Sequence, residues 1–313
     1  MDQILTNVSV QIPNGAFLGS AFLPAVNVRK QSDKYYVYGR ESWAVPVGVD
    51  LRAPGAEAQE VPGLNMSTDS YFAQEHALQI PVTNEEIENA DSPLSPLMDG
   101  TELITNQLML IRELAIKNML TTSGNYASGH STTLSGTSQW NDYTNSTPIY
   151  DVKTARTTVH GKIFMDPNLM CIPYEVMTTL ENHPQIIDRI KYSERGILTP
   201  EIISAFFGGV QILVPGAGYN SANPAQTAAL GYIWGKDVFT AYVPASPGLK
   251  TPAFGYEFVW SYPSGGPMVT ERWTEIARKS EIVRVSRRYD LKFVAKDTSD
   301  KAVAGYIIKA AVA

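Results

Sequence analysis

A single cysteine among 313 residues, Cys171, rules out an internal disulfide framework and fits a chain made in a reducing compartment. Positive charge is also scarce: 25 Lys and Arg against 31 Asp and Glu leave a formal charge of -6. A general nucleic-acid binder needs clustered cations to neutralise phosphates, so any contact with DNA is expected to be local, weak and non-specific. No run approaches the roughly 20 apolar residues of a membrane span, and Met1-Asp2-Gln3-Ile4 opens no basic-then-apolar leader. No membrane partner is expected. The four histidines, His76, His130, His160 and His183, are scattered, with none at helix spacing from a second metal ligand. No Gly-x-Ser-x-Gly elbow presents a nucleophile. Gly216-Ala217-Gly218 follows a strand-like run but lacks the third glycine, the Lys-Ser/Thr pair and a helix start, so it reads as a strand-exit loop. Cys171 lies in an apolar run and reads as an inert buried thiol. No catalytic residue, metal site or cofactor is expected.

What is present is an unusually long extended segment, Asp33 to Thr83. Lys34-Tyr35-Tyr36-Val37-Tyr38 at its start and Tyr71 to Ile80 at its end favour strands through aromatic and β-branched content. Pro46, Gly48, Pro54, Gly55, Pro62 and Gly63 punctuate the middle. A structureless loop of this length inside a compact domain needs a job, and apolar groups such as Trp43 and Leu51 need somewhere to go. Another subunit is the natural home.

Residues 1–32 carry Pro13-Asn14-Gly15 and Pro24 and read as an extended arm. Thr83-Asn84-Glu85-Glu86 has capping-box spacing and starts a brief helix, broken by Pro93 and Pro96. Glu102 to Leu120 reads as one long helix: Ile104, Leu108, Ile111, Ala115 and Met119 recur at steps of three and four, and Leu103, Leu110 and Leu114 widen the stripe. Gly124 to Thr147 is a polar loop anchored by Trp140 and Tyr143. Then come a helix from Ile149 to His160, a strand at Ile163-Phe164-Met165, a strand at Leu169 to Ile172, helices from Pro173 and Pro200, and a buried strand at Val210 to Val214. Leu230 to Trp234 and Val238 to Val243, separated by Gly235-Lys236-Asp237, suit a hairpin. The last quarter reads as strands over Phe254 to Trp260, Ile282 to Ala295 and Val303 to Val312. The fold class is α+β.

Arg272, Arg278, Lys279, Arg284, Arg287 and Arg288 are interleaved with Glu271, Glu275, Glu281 and Asp290. The mixture suggests ion pairs, either on a solvated strand face or repeated across an interface, where they set register more than affinity.

Ser138-Gln139-Trp140-Asn141-Asp142-Tyr143, Asn182-His183-Pro184 through Asp188-Arg189-Ile190-Lys191-Tyr192, Trp234-Gly235-Lys236-Asp237 through Ser246 to Pro252, and Tyr71 to Thr83 resemble segments shared by one group of tailed-bacteriophage major capsid proteins. The order of elements resembles their Hong Kong 97 type shell fold. The resemblance implies an N-terminal arm at 1–32, an extended loop at 33–83 lying over a neighbouring subunit, and a peripheral domain from 84–149 and 254–300 that includes a spine helix at 101–120. It implies an axial domain from 150–253 and 301–313. Candidate intersubunit contacts are then Tyr36, Tyr38, Trp43, Leu51, Tyr71, Phe72 and His76 of the loop with Arg284, Arg287 and Arg288 of the late strand. The implied partners are many copies of the same chain in pentamers and hexamers, a portal at one vertex and a decoration protein. Because Met1 stands close to the arm, a separate scaffolding protein is expected. The implied function is a self-assembling shell in the virion, enclosing a double-stranded DNA genome and made in the bacterial cytoplasm. An encapsulin-like nanocompartment shell and a soluble α+β enzyme remain open as alternatives.

Overall fold

The computed structural model describes residues 17–38, 50–61, 63, 66–91, 94–190, 199–222, 226–248, 251–261 and 267–313. The expected long helix is present and longer than its periodicity suggests. Helix α3 runs Pro96–Thr121, because Pro96 occupies its first turn, where a missing N–H costs nothing, instead of breaking it. Before it lie a helical turn α1 (Gly19–Phe22) and the short helix α2 (Asn84–Glu88), the latter closed by the expected reciprocal box between Thr83 and Glu86. The buried face of α3 follows steps of four through Gly100, Ile104, Leu108, Arg112, Ile116 and Leu120, with Glu113 beside it. Leu103 and Ile111, expected in the stripe, are exposed. Two charged residues take the place that the apolar pattern assigned to them.

Strands β1 (Ala25–Val28), β4 (Gln74–Thr83), β11 (Gly255–Trp260), β12 (Met268–Glu275) and β13 (Ser280–Phe293) form one five-stranded sheet, called peripheral after the expected domain in which most of its strands fall. Its axis is β13, whose first part pairs antiparallel with β12 on one side and β4 on the other, while 289–293 pair with β11. Helix α3 lies on this sheet through Ile104 and Leu108, packed with Val283, Val285, Leu78 and Ile80. Gly100 permits the approach, since a Cβ there would meet the Ile80 side chain at 3.2 Å.

The second sheet, called axial on the same ground, has the order β5-β14-β10-β6-β7, from β5 (Ser131–Thr133), β6 (Leu169–Cys171), β7 (Gln211–Leu213), β10 (Val238–Ala241) and β14 (Gly305–Lys309). Helix α4 (Pro148–Ile163) packs against β14 and β10. Helix α7 (Pro200–Phe206) packs on β7, while α5 (Tyr174–Glu181) and α6 (Pro184–Ile190) pack on each other and send Val176, Leu180 and Ile186 into the core of the sheet. Its core is the main hydrophobic cluster, which includes Trp140, Trp234, Phe239, Phe254 and Ile307.

Several local expectations give way to long-range packing. The strand expected at Ile163-Phe164-Met165 is absent: α4 continues to Ile163 and stops because Phe164 turns left-handed at φ 55°. The expected hairpin across Gly235-Lys236-Asp237 is also absent. Leu230–Tyr232 (β9) pairs instead with Gly218–Asn220 (β8), whereas β10, buried at every residue, enters the second sheet. Tyr71 to Ile80 is two strands, not one. Ala73, fully buried and donating its N–H to Gln31 O at 2.8 Å, separates Met66–Phe72 (β3) from β4. The last ten residues of the expected loop therefore join the peripheral sheet. The expected arm is partly interior as well: Phe22 and Leu23 are fully buried, and β1 pairs parallel with β11. Residues 1–16 lie outside the described residues.

The end of the chain is gripped by two of the quoted segments. Gln139 Nε2 donates to Ala310 O at 3.1 Å, and Trp140 N–H to Ala311 O at 2.7 Å. From the other side, Asp237 Oδ1 accepts the Ala310 N–H at 2.9 Å and Lys236 O accepts the Ala311 N–H at 3.1 Å.

Candidate functional site

Strands β2 (Ser32–Tyr38) and β3 form an antiparallel two-stranded ribbon with Tyr35 opposite Asp69 and Tyr36 opposite Thr68. Alternation along each strand gives the ribbon two unlike faces. Odd-numbered positions turn inward: Tyr71 stacks on Phe258 with ring centroids 4.8 Å apart, and Tyr35 meets the same ring at 5.2 Å. Even-numbered positions turn outward, and there Tyr36 is 62%, Met66 58% and Phe72 51% exposed. An isolated two-stranded ribbon is marginal in water, so its own chain must hold the base.

Charge supplies that hold. Tyr35 OH donates to Asp69 Oδ2 at 2.6 Å, Lys296 Nζ lies 2.8 Å from Asp69 and 2.8 Å from Asp300, and the Phe72 N–H donates to Asp290 Oδ2 at 2.9 Å. Burial alone would raise the Asp69 pKa, but hydrogen bonds from Lys296, Tyr35 and the Ser70 amide bring it down to about 2. The carboxylate stays ionised across any ordinary pH. The base of the ribbon is thus fixed in direction while its outer apolar face is left open.

The candidate contact residues divide accordingly. Tyr36 and Phe72 face outward, and Leu51 is 88% exposed beyond the ribbon. Tyr38 ends β2 opposite Met66. Trp43 lies outside the described residues. Tyr71 is buried, and its hydroxyl donates to Lys30 O at 3.2 Å. His76 stacks on Tyr289 of the same chain at 4.4 Å. The late arginines also find partners within the chain: Arg284 pairs with Glu271, directly opposite it on β12, and packs over Trp273. Arg288 reaches Glu75 at 2.9 Å, and Arg287 reaches the fully buried Glu257 at 2.8 Å. Interleaved charges in the sequence thus mark cross-strand pairing in the peripheral sheet.

Sequence reasoning missed a buried polar centre where α3, α1 and β11 meet. Arg112 is bidentate to Glu257, with Nε to Oε1 at 2.9 Å and Nη2 to Oε2 at 2.5 Å, and Nη2 also reaches Ser20 Oγ at 3.1 Å. Glu113 accepts the N–H groups of Leu18 and Gly19 and the indole N–H of Trp234. The signal available was a pair of charges in the middle of an apolar stripe.

Ser146 and His183 look at first like a nucleophile and its base, being 2.9 Å apart and buried. The hydrogen bonds point the other way. His183 Nδ1 accepts the Gln185 N–H at 3.2 Å, which puts the ring proton on Nε2 as donor to Ser146 Oγ, and the serine hydroxyl in turn donates to Asp142 O at 2.6 Å. The imidazole has no free lone pair for the hydroxyl, so the pair is a strut between the polar loop and the α5–α6 junction. Burial holds the His183 pKa below its ordinary 6.5. As pH falls past about 6.5 the unfolded chain takes up this proton before the folded one, so stability is lost progressively on acidification. Unfolding midpoints in urea between pH 7 and 5 are expected to fall more steeply for the unaltered chain than for His183→Gln; parallel slopes would remove the strut its pH role. Burial also pushes the Cys171 thiol well up, in keeping with an unreactive group. Among the described residues no cluster of three or more His, Cys, Asp or Glu could hold a metal ion, and no helix is long and apolar enough to cross a membrane.

No protein-family model matches the chain. Two curated proteins named major capsid protein do. That of Burkholderia phage BcepMu is 28% identical over 293 residues, covering 91% of this chain and 92% of its own length. That of Pseudomonas phage JBD67 is 28% identical over 238 residues, covering 75% and 74%. Among solved structures, a phage-related protein from Bordetella bronchiseptica aligns with TM-score 0.68 at 24% identity, over 94% of this chain and 92% of the other. The mature capsid of bacteriophage PhiM1 aligns with TM-score 0.57 at 11% identity (96% and 88% covered), and the SrpI encapsulin of Synechococcus elongatus with 0.58 at 10% (98% and 93% covered). The fold is that of the Hong Kong 97 type shell proteins.

Proposed function

We infer that this chain is the major capsid protein of a tailed phage, a structural subunit that assembles in many copies into the head shell. The observation that carries this reading is the similarity to two curated capsid proteins, over 91% and 75% of this chain. The encapsulin likeness, at 10% identity, speaks for the fold alone. The ribbon gives the role a physical basis: its base is latched to its own chain, and its outer face offers Tyr36, Met66 and Phe72 to something else. A second copy of the chain is that partner, and it covers Leu51 as well. Each such contact is modest, but a subunit engaged by several neighbours is held by effectively intramolecular steps, and head-to-tail contacts close rings and then a shell.

Within the same reading, the subunits group as pentamers and hexamers around a double-stranded DNA genome touched only weakly and non-specifically, as the net charge of -6 favours. A separate scaffolding protein, a portal at one vertex and a decoration protein complete the head, and synthesis takes place in the bacterial cytoplasm. In this reading the peripheral part takes β1 and β4 along with α3 and β11 to β13, the axial part takes β5 along with β6, β7, β10 and β14, and the loop keeps β2, β3 and the chain between them.

Replacing residues 39–65 by Asn-Gly tests the reading, because a two-residue turn closes directly on the Tyr38–Met66 pair and leaves the latched base intact. The subunit is expected to stay folded by circular dichroism, and electron microscopy is expected to show few or no closed particles. Normal, stable shells from the shortened chain would overturn the role given to the loop.

A further inference from the structure

Glu113 is a fully buried carboxylate in the middle of α3, and its direct hydrogen-bond donors are neutral. Its Oε1 accepts the Leu18 N–H at 2.9 Å, the Gly19 N–H at 3.0 Å and the Trp234 indole N–H at 3.0 Å, and Oε2 accepts from Gly19 at 3.0 Å. A Cβ on Gly19 would lie 2.7 Å from Glu113 Oε2 and 2.6 Å from Ile116 Cδ1, so only glycine fits against the helix. One residue back, Arg112 holds Ser20 and Glu257 together, and Glu257 also takes Arg287. Two consecutive helix residues therefore grip three consecutive residues of the arm root.

The residues that follow are wedged between the two sheets. Phe22 meets Phe239 of β10 with ring centroids 4.5 Å apart. Leu23 lies where a Cβ on Gly255 of β11 would come within 2.6 Å of it, and Pro24 O accepts the Glu257 N–H at 3.1 Å. The arm root thus touches the spine helix, the peripheral sheet through Gly255 and Glu257, and the axial sheet through Phe239. Buried polar and ionic groups are poor sources of net stability against apolar packing, and their best attested use is to fix one arrangement over its alternatives. Glu113 suits that use, since any shift of Leu18 and Gly19 strands a carboxylate in the core.

We propose that Arg112 and Glu113 make residues 18–24 a rivet that ties the direction of the N-terminal arm to the angle between the axial and peripheral sheets, so that a pull on the arm by a second copy of the chain is delivered to that joint. This rests on the shell function, but the joint itself is read in the unassembled subunit. Hydrogen exchange of the full chain, unaltered and as Glu113→Gln, is the test. Exchange at 18–24 is expected to rise about tenfold or more, and to rise also at 238–241 and 255–259, none of which touches Glu113. Assembled particles of the variant are expected to show a broadened or shifted diameter distribution by electron microscopy. Trp234→Phe, which keeps an aromatic ring and removes one donor, is expected to give the same pattern in weaker form and carries the test if Glu113→Gln does not fold. Increased exchange confined to 18–20, with particle diameters unchanged, would overturn the rivet. If the unaltered chain forms no particles the shell function fails, while the exchange pattern still decides whether arm and joint are coupled.

Discussion

Glu257→Ala is expected to destabilise the subunit by about 3–5 kcal/mol, read as a shift of the urea unfolding midpoint of unassembled protein. The reason lies in what stays behind. Arg112 is 2% exposed and the Arg287 side chain 10%, and both aim at the fully buried Glu257. With the carboxylate gone, two guanidinium groups face one another with no anion between them. Replacing the whole triad together, as Arg112→Met with Glu257→Leu and Arg287→Met, is expected to cost far less than the single change, because apolar groups of similar volume need no counter-charge. A single-variant cost under about 1 kcal/mol would mean that the site is wet in solution.

Trp140→Ala is expected to have an effect of similar size, about 3–5 kcal/mol, from the cavity left by a fully buried indole. Trp140 lies at the centre of the loop that holds the chain end, and its indole N–H donates to Asp151 Oδ2 at 2.9 Å. Trp140→Phe separates the two contributions. Burial raises the Asp151 pKa and the indole hydrogen bond opposes the rise, so removing the bond raises the folded-state value further. A group with a raised folded pKa stabilises below its unfolded value and loses that contribution as pH climbs through the folded one. The deficit of Trp140→Phe relative to the unaltered chain is therefore expected to be smaller at pH 4 than at pH 7. An equal deficit at both would show that the cost is packing alone.

Where the signal was local, the sequence was a good guide to this fold. The capping box at Thr83 and Glu86, the long amphipathic helix, the strand at Gly255–Trp260 and the strand-like tyrosine run at the start of the loop all rest on neighbours within a few residues. Pairings that depend on distant chain were not legible. Nothing near Val238–Ala241 announces that its partners are Gly305–Ile308 and Leu169–Cys171 instead of the strand just before it. The outward face of the ribbon could be read from alternation, since Tyr36 and Phe72 fall on it. Tyr71 could not, because its burial depends on Phe258, far along the chain. Arg112 and Glu113 were hidden for a related reason: a charge on a helix reads as solvent-facing unless the groups that satisfy it are known.

The place of β14 in its sheet bears on how such a subunit is made. The strand lies between β5 and β10, in the sheet's interior, yet it is supplied by residues 305–309. During translation the sheet must wait with a gap between β5 and β10 until those residues clear the ribosome, at about 5–20 residues per second. A chain that stops early leaves β5 and β10 without the strand that joins them. Chain order thus makes closure of the second sheet one of the last events in the making of the subunit.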